Sequence, residues 1–189
     1  ARQVMAGGTD PAEVIAFWRE AGPAKWYAKD AAFDAAIRTR FEALHHAAAR
    51  GELAHWAADW QGALALLLLL DQFPRNIFRG SAHSFATDPL ARMIADAALN
   101  AGLDRQCGED LRVFFYLPLE HSEALADQDR CVELCDALDA ASGSEWARWA
   151  RLHRDIIQRF GRFPHRNAAL GRETTDEERA FLDDGGFSG

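Results

Sequence analysis

The chain has 189 residues, 49% of them hydrophobic, and a net charge of −8. That length suits one domain or at most two small ones, and an ordinary core needs no staples. Alanine (37) and leucine (20) dominate, whereas valine, isoleucine and threonine together number 15. This mix excludes all-β folds and disfavours a βαβ fold.

Asp10-Pro11-Ala12-Glu13 predicts a helix start, with Asp10 as cap, Pro11 in the first turn and Glu13 reaching back; Gly22 ends that helix. A second helix follows Asp30, with Phe33, Ile37, Phe41 and Leu44 on one stripe, and Gly51 closes it. A third begins after Asp59 and runs through WQGALALLLLLDQF to Pro74. It is apolar all round between Trp60 and Leu70, so it should be the central buried helix. Residues 74–87 carry Pro, Gly and Ser and read as a long, partly ordered loop. Asp88-Pro89 opens a fourth helix with the stripe Leu90, Met93, Ile94, Ala97 and Ala98, stopped by Gly102. A fifth covers about 109–117 and is interrupted at Pro118. A sixth covers about 124–140 and ends before Gly143. Ser144 caps a seventh over 145–160, closed by Gly161. Thr175 to Glu178 forms a capping box for a short last helix. No linker and no 34-residue repeat stands out, so 1–189 reads as a single all-α domain of seven to eight helices.

An acidic chain is a poor nucleic-acid binder, since phosphate contacts need a basic surface. Residues 145–172 nevertheless hold seven arginines against Glu145 and Asp155. Cys107, Cys131 and Cys135 include no CxxC pair and suit a reducing cytoplasm; Cys131 and Cys135 share a helix face and read as core. ARQVMAGGTDP has no apolar signal-peptide core, and the longest apolar run, residues 63–70, is too short to span a bilayer. A cytoplasmic location with no membrane partner is expected.

Three polar-aromatic segments break the alanine–leucine text. The first is Asp71-Gln-Phe-Pro-Arg75-Asn76, at the end of the most apolar helix. The second is Tyr116-Leu-Pro-Leu-Glu120-His121-Ser122, where a proline break frees carbonyls. The third is Arg159-Phe-Gly-Arg162-Phe-Pro-His165-Arg166-Asn167. On the seventh helix, Trp146, Trp149, Ile156, Ile157 and Phe160 fall on one arc with His153 in its middle, opposite Arg148, Arg151 and Arg159. A buried His153 needs a partner, for which Asp71 or Glu120 is suited.

ALLLLLDQFPRNIFRG within residues 63–80, YLPLEHSE (116–123) and HRDIIQRFGRFPHRN (153–167), with the opening Phe17-Trp18 and the closing LGRETTDEERAFL, resemble the signature segments of the bacterial DUF924 family. The resemblance implies an all-α fold of antiparallel helix pairs, grouped with tetratricopeptide-like superhelices. It brings no reaction, cofactor or substrate.

Two functional readings remain open at this level, beside a third in which the segments are packing devices alone. In the first, the chain is a binding module whose polar pocket takes a small anion or a peptide carboxylate. Arg75, Arg162 and Arg166 would donate, with Phe73, Tyr116 and Phe163 as apolar wall. In the second, Asp71, Glu120, His121, His153 and His165 supply acid–base groups for a hydrolase-type enzyme. No P-loop, GxGxxG, HExxH or metal-ligand spacing is visible, so neither metal nor cofactor is expected. The binding candidates are Asp71, Arg75, Asn76, Tyr116, Glu120, His121, His153, Arg162, His165, Arg166 and Asn167.

Overall fold

A computed structural model describes residues 10–189 and shows an all-α chain, with no strand among the described residues. The expectation drawn from the first nine residues, that they hold no apolar targeting core, lies outside the described residues. The elements in order are α1 (Pro11–Ala21), α2 (Pro23–Trp26), α3 (Ala31–Ala49), α4 (Trp60–Leu67), α5 (Phe73–Ile77), α6 (His83–Ala86), α7 (Asp88–Asn100), α8 (Leu117–Glu120), α9 (Leu125–Ser142), α10 (Trp146–Phe160), α11 (Asn167–Leu170) and α12 (Asp176–Asp183). Short 3-10 turns and one π-helical turn, Leu68–Gln72, connect or extend them. No described helix is long and apolar enough to cross a membrane.

The expected caps form. Asp10 accepts from the Glu13 N–H, Asp30 from Ala32 and Phe33, and Thr175 and Glu178 exchange both bonds of a capping box. The cap of α10 differs from expectation. Ser144 does not bond the helix; its hydroxyl donates to Asp139 of α9, whose carboxylate accepts from the Trp146 and Ala147 N–H groups. A carboxylate satisfies two orphan donors at once and favours the positive helix end. Gly143 and Gly161 close α9 and α10 at φ 72° and 71°, a left-handed turn that glycine makes without strain. The three-residue link packs α9 antiparallel against α10.

α4 is buried along most of its length and packs against α1 and α7. Beside it, rings from successive helices interlock: Phe41 and Phe73 lie 5.0 Å apart, Trp18 and Phe114 5.6 Å, and Trp26 and Phe114 4.9 Å, within the range of favourable tilted and edge contacts. A smaller cluster joins Ile156, Ile157 and Phe163 to Phe160, Phe181 and Phe187.

Pro74 shapes the next stretch. It has no N–H to give Leu70, four residues back, or Leu69, five back. Phe73 donates to Leu68, five residues back, and the chain winds as a π turn. Water cannot reach the freed carbonyls, so side chains serve them. Leu69 accepts from His45 Nδ1 at 2.7 Å and Leu70 from the Thr87 hydroxyl at 2.6 Å. The next carbonyl, Asp71, accepts from Arg75 Nη1 at 2.8 Å. Pro74 therefore does not end the helical path, and residues 74–87 are not a loop: α5 continues from the π turn and α6 follows.

Two stripes also differ from the periodic reading. On α7 the buried residues are Asp88, Ala91, Ala95, Ala98 and Leu99, while Met93 is 65% exposed. Alanines let α7 lie close on α4, leaving the bulky Leu90 and Ile94 at the flanks. On α10, Ala147, Ala150, His153, Ile156 and Ile157 are buried and Trp149 is 47% exposed. The fifth expected helix is a 3-10 turn (Arg112–Phe115) followed by α8, with Pro118 inside the first turn of α8 rather than breaking it.

Gly62 tests how tightly α4 is seated. A Cβ there would lie 1.8 Å from the Trp56 carbonyl oxygen of the preceding 3-10 turn. Gly62→Ala is expected to cost about 1–3 kcal/mol in a denaturant melt; wild-type stability would mean that the turn yields freely.

Candidate functional site

The π turn holds Asp71 almost wholly buried. Its Oδ1 accepts from His121 Nδ1 at 2.7 Å and its Oδ2 from Gln72 Nε2 at 2.8 Å. Burial alone would push this carboxyl up; the facing His121, Arg75 and the two hydrogen bonds outweigh it and hold it below the ordinary range. Burial and Arg75 push His121 the other way, towards neutrality, against the pull of Asp71. The result at neutral pH is an ionised Asp71 accepting from a neutral His121, with the lone pair on Nε2.

Arg75 extends this pair. It donates to both oxygens of Asp88, at 2.8 and 2.9 Å, and its Nη1 lies 3.6 Å from Asp71 Oδ1. Arg166 approaches from the third segment. Its Nη2 donates to the His121 carbonyl at 2.8 Å, and its plane lies over Phe85 and Phe163, 4.7 and 4.6 Å from the ring centres. Its Nη1 is 3.9 Å from Asp88 and 4.0 Å from Glu123, and its buried Nε has no partner. Burial and the nearby Arg75 lower this guanidinium to about 10.

Glu120 and His153 lie alongside. Burial, reinforced by Asp71, raises Glu120 to about 8, so its carboxyl is protonated at neutral pH. His153 Nδ1 donates to the Trp149 carbonyl at 2.8 Å and lies 3.8 Å from Glu120. Of the two expected partners, Asp71 is taken by His121 and Glu120 stays 3.8 Å away, so the Trp149 carbonyl serves His153 instead. The rings of His121 and His153 are 6.3 Å apart. His165 packs against Phe163, Phe85 and Phe187, and its buried Nδ1 has no partner. Burial holds His153 and His165 down to about 3.

Seven sequence candidates therefore share one neighbourhood: Asp71, Arg75, Glu120, His121, His153, His165 and Arg166. Four do not join it. Asn76 donates to Asp34 and the Tyr116 hydroxyl to Asp104. Arg162 is paired with Glu178, which also approaches Asn167 at 3.4 Å, and Asn167 accepts from Arg172. Each of these four ties neighbouring segments together. Of the expected apolar wall only Phe163 takes part; Phe73 lies among the rings beside α4 and Tyr116 beside Asp104.

The sequence reading missed Asp88, Glu123 and Phe85. Asp88 was masked by its place at a helix start. Glu123 accepts from the Phe163 N–H at 2.6 Å and from Arg172 at 2.8 Å, a link across 40 residues and more with no local signature. A cavity of about 230 Å³ opens on Phe85, Asp88, Arg92, Glu123, Arg166 and Leu170.

A family model described as a bacterial protein of unknown function (DUF924) matches residues 14–186. A solved structure of a protein of unknown function from Agrobacterium tumefaciens is similar to this chain, with 53% identity and a TM-score of 0.86. The match covers 92% of this chain and 97% of that one. Among curated proteins, none matches.

Glu120 gives this site a pH signature. It stays protonated in the fold up to about 8 but ionises near its ordinary 4.5 once unfolded. Its contribution to stability is thus full below 4.5 and is lost as pH rises through about 8. Glu120→Gln keeps a neutral group of the same shape. Relative to wild type, it is expected to hold its melting temperature as pH rises across that window. Parallel profiles for the two proteins would contradict a protonated Glu120.

Proposed function

For a chain that belongs to the DUF924 family of bacterial proteins of unknown function, we propose a binding role: the cavity beside Arg166 takes a small anion or a peptide carboxylate. Arg166 lines that cavity, and its buried Nε has no partner in the protein; this guanidinium carries the reading. Of the five guanidinium N–H groups, one is donated at hydrogen-bond distance to a protein acceptor, the His121 carbonyl. Arg92 lies on the same wall. A carboxylate or phosphate matches the fork that remains, and Phe85 and Phe163 hold that fork in plane. Nucleic acid and membrane partners are not part of this reading. We read the chain as one all-α domain, with the α9–α10 hairpin as a tetratricopeptide-like pair, and three reduced cysteines suit a cytoplasmic location.

Titration calorimetry with inorganic phosphate and with small mono- and dicarboxylates tests it. Arg166→Gln is expected to weaken the bound anion by about tenfold or more, the loss of a charge-assisted hydrogen bond. Equal affinity in both proteins, or no binding by wild type, would remove the reading.

The Asp71–His121 pair favours a second reading, hydrolysis of a bound ester or phosphate. An ionised carboxylate orients a neutral imidazole beside a carboxyl held protonated, so base and acid coexist at neutral pH. Activated esters and phosphate esters are the probes. His121→Gln is expected to abolish any turnover while leaving anion affinity within a few-fold.

A further inference from the structure

Away from this cavity, three imidazoles meet where α3 and α6 come together. His45 and His46 are consecutive on α3, and His83 begins α6. Their rings form a nearly equilateral triangle, with centres 5.1, 5.5 and 5.5 Å apart. One nitrogen from each lies within 4.8 Å of the other two. Phe78 packs against all three and stacks on His83 at 3.8 Å.

The tautomer of His45 is fixed. Its Nδ1 must carry hydrogen, because the partner is the Leu69 carbonyl at 2.7 Å. The lone pair is then on Nε2, and it points at His83 Nε2, 3.3 Å away. Two nitrogens bound at 2.0–2.1 Å to one tetrahedral ion are about 3.3–3.4 Å apart, so this spacing is that of a shared metal. A carbonyl accepting from the far nitrogen of a ligand histidine is the usual way such rings are oriented. A single N–H···N bond would account for the His45–His83 pair but gives no part to His46, whose Nε2 also lies 3.8 Å from Glu42 Oε1. Burial moves His45 and His83 towards the neutral form that ligates.

We propose that His45, His46 and His83 bind a divalent transition-metal ion of the zinc class, with Glu42 or water completing a tetrahedron. Imidazole ligands suit zinc, nickel and copper and disfavour magnesium and calcium. The ion would clip α6 onto α3 directly over the π turn, through the Leu69 carbonyl. The site lies outside the sequence expectation of no metal. Adjacent histidines on one helix and a third 37 residues later match no zinc spacing signature, and the Leu69 carbonyl that orients His45 is exposed to it by a proline in another segment.

The test uses the full chain stripped with a chelator and titrated with zinc and, separately, with cobalt(II). Wild type is expected to bind one ion at micromolar concentration or below and to melt at higher temperature as zinc is added. Cobalt should give the visible absorption of a tetrahedral nitrogen–oxygen site with no thiolate band. His83→Gln and, on the more open side of the site, His46→Gln should each lose affinity by about tenfold or more and most of the zinc-induced rise in melting temperature. Circular dichroism establishes that each variant is folded. Wild-type affinity in either variant overturns the three-histidine site. So does the absence of binding by wild type, or a thiolate band that assigns the ion to Cys131 and Cys135.

Discussion

A proline inside a buried helix leaves carbonyls that neither helix nor water can satisfy, and much of this molecule is arranged around that constraint. Pro74 cannot serve Leu69 or Leu70, and both lie in the apolar centre. The donors come from three directions. His45 reaches in from α3, Thr87 from the start of α7 and, one carbonyl further on, Arg75 from the helix itself. Each of these groups has a second bonding surface. His45 turns its other nitrogen towards His83, Arg75 clamps Asp88, and Thr87 holds the chain just ahead of Asp88. One missing N–H thereby fixes the floor of two separate polar clusters.

The charge arrangement of the larger cluster follows from burial. Two carboxylates, Asp71 and Asp88, face Arg75, which touches both, and Arg166 stands within 4.0 Å of Asp88 and Glu123. A further ionised acid would lack a cation, and Glu120 accordingly holds its proton. The histidines stay neutral for the same reason from the opposite side: each has an arginine near it and little water. Breaking any one pair would leave an uncompensated buried charge, which costs far more than the intact pair contributes.

What could be read from sequence was local. Caps at Asp10, Asp30 and Thr175, glycine stops, and the fully apolar run in α4 depend on residues within a few positions of each other. The three polar segments were visible as interruptions of a plain helical background, and six of their residues lie together, joined by His153 of α10. The rest depended on distance. Asp139 caps α10 from the neighbouring helix, a role that position alone assigns to Ser144. Asn76, Tyr116, Arg162 and Asn167 look like their clustered neighbours in type, but their partners are Asp34, Asp104, Glu178 and Arg172. The alanine face of α7 lost to Met93 in a hydrophobicity pattern because close helix approach rewards small side chains.

The π turn also sets an angular register. Formally it is one residue more than an α-helix needs, and each residue turns the path by about 100°. Everything after Leu68 is therefore rotated by about that angle from where an unbroken α4 would have put it. Phe73 reaches the rings of α1 and α3, and Asp71 and Arg75 face the second and third polar segments, because of that extra residue. The leucine run from Leu66 to Leu70 is thus a spacer of fixed length: each side chain fills the core, and their number sets where the polar segment points.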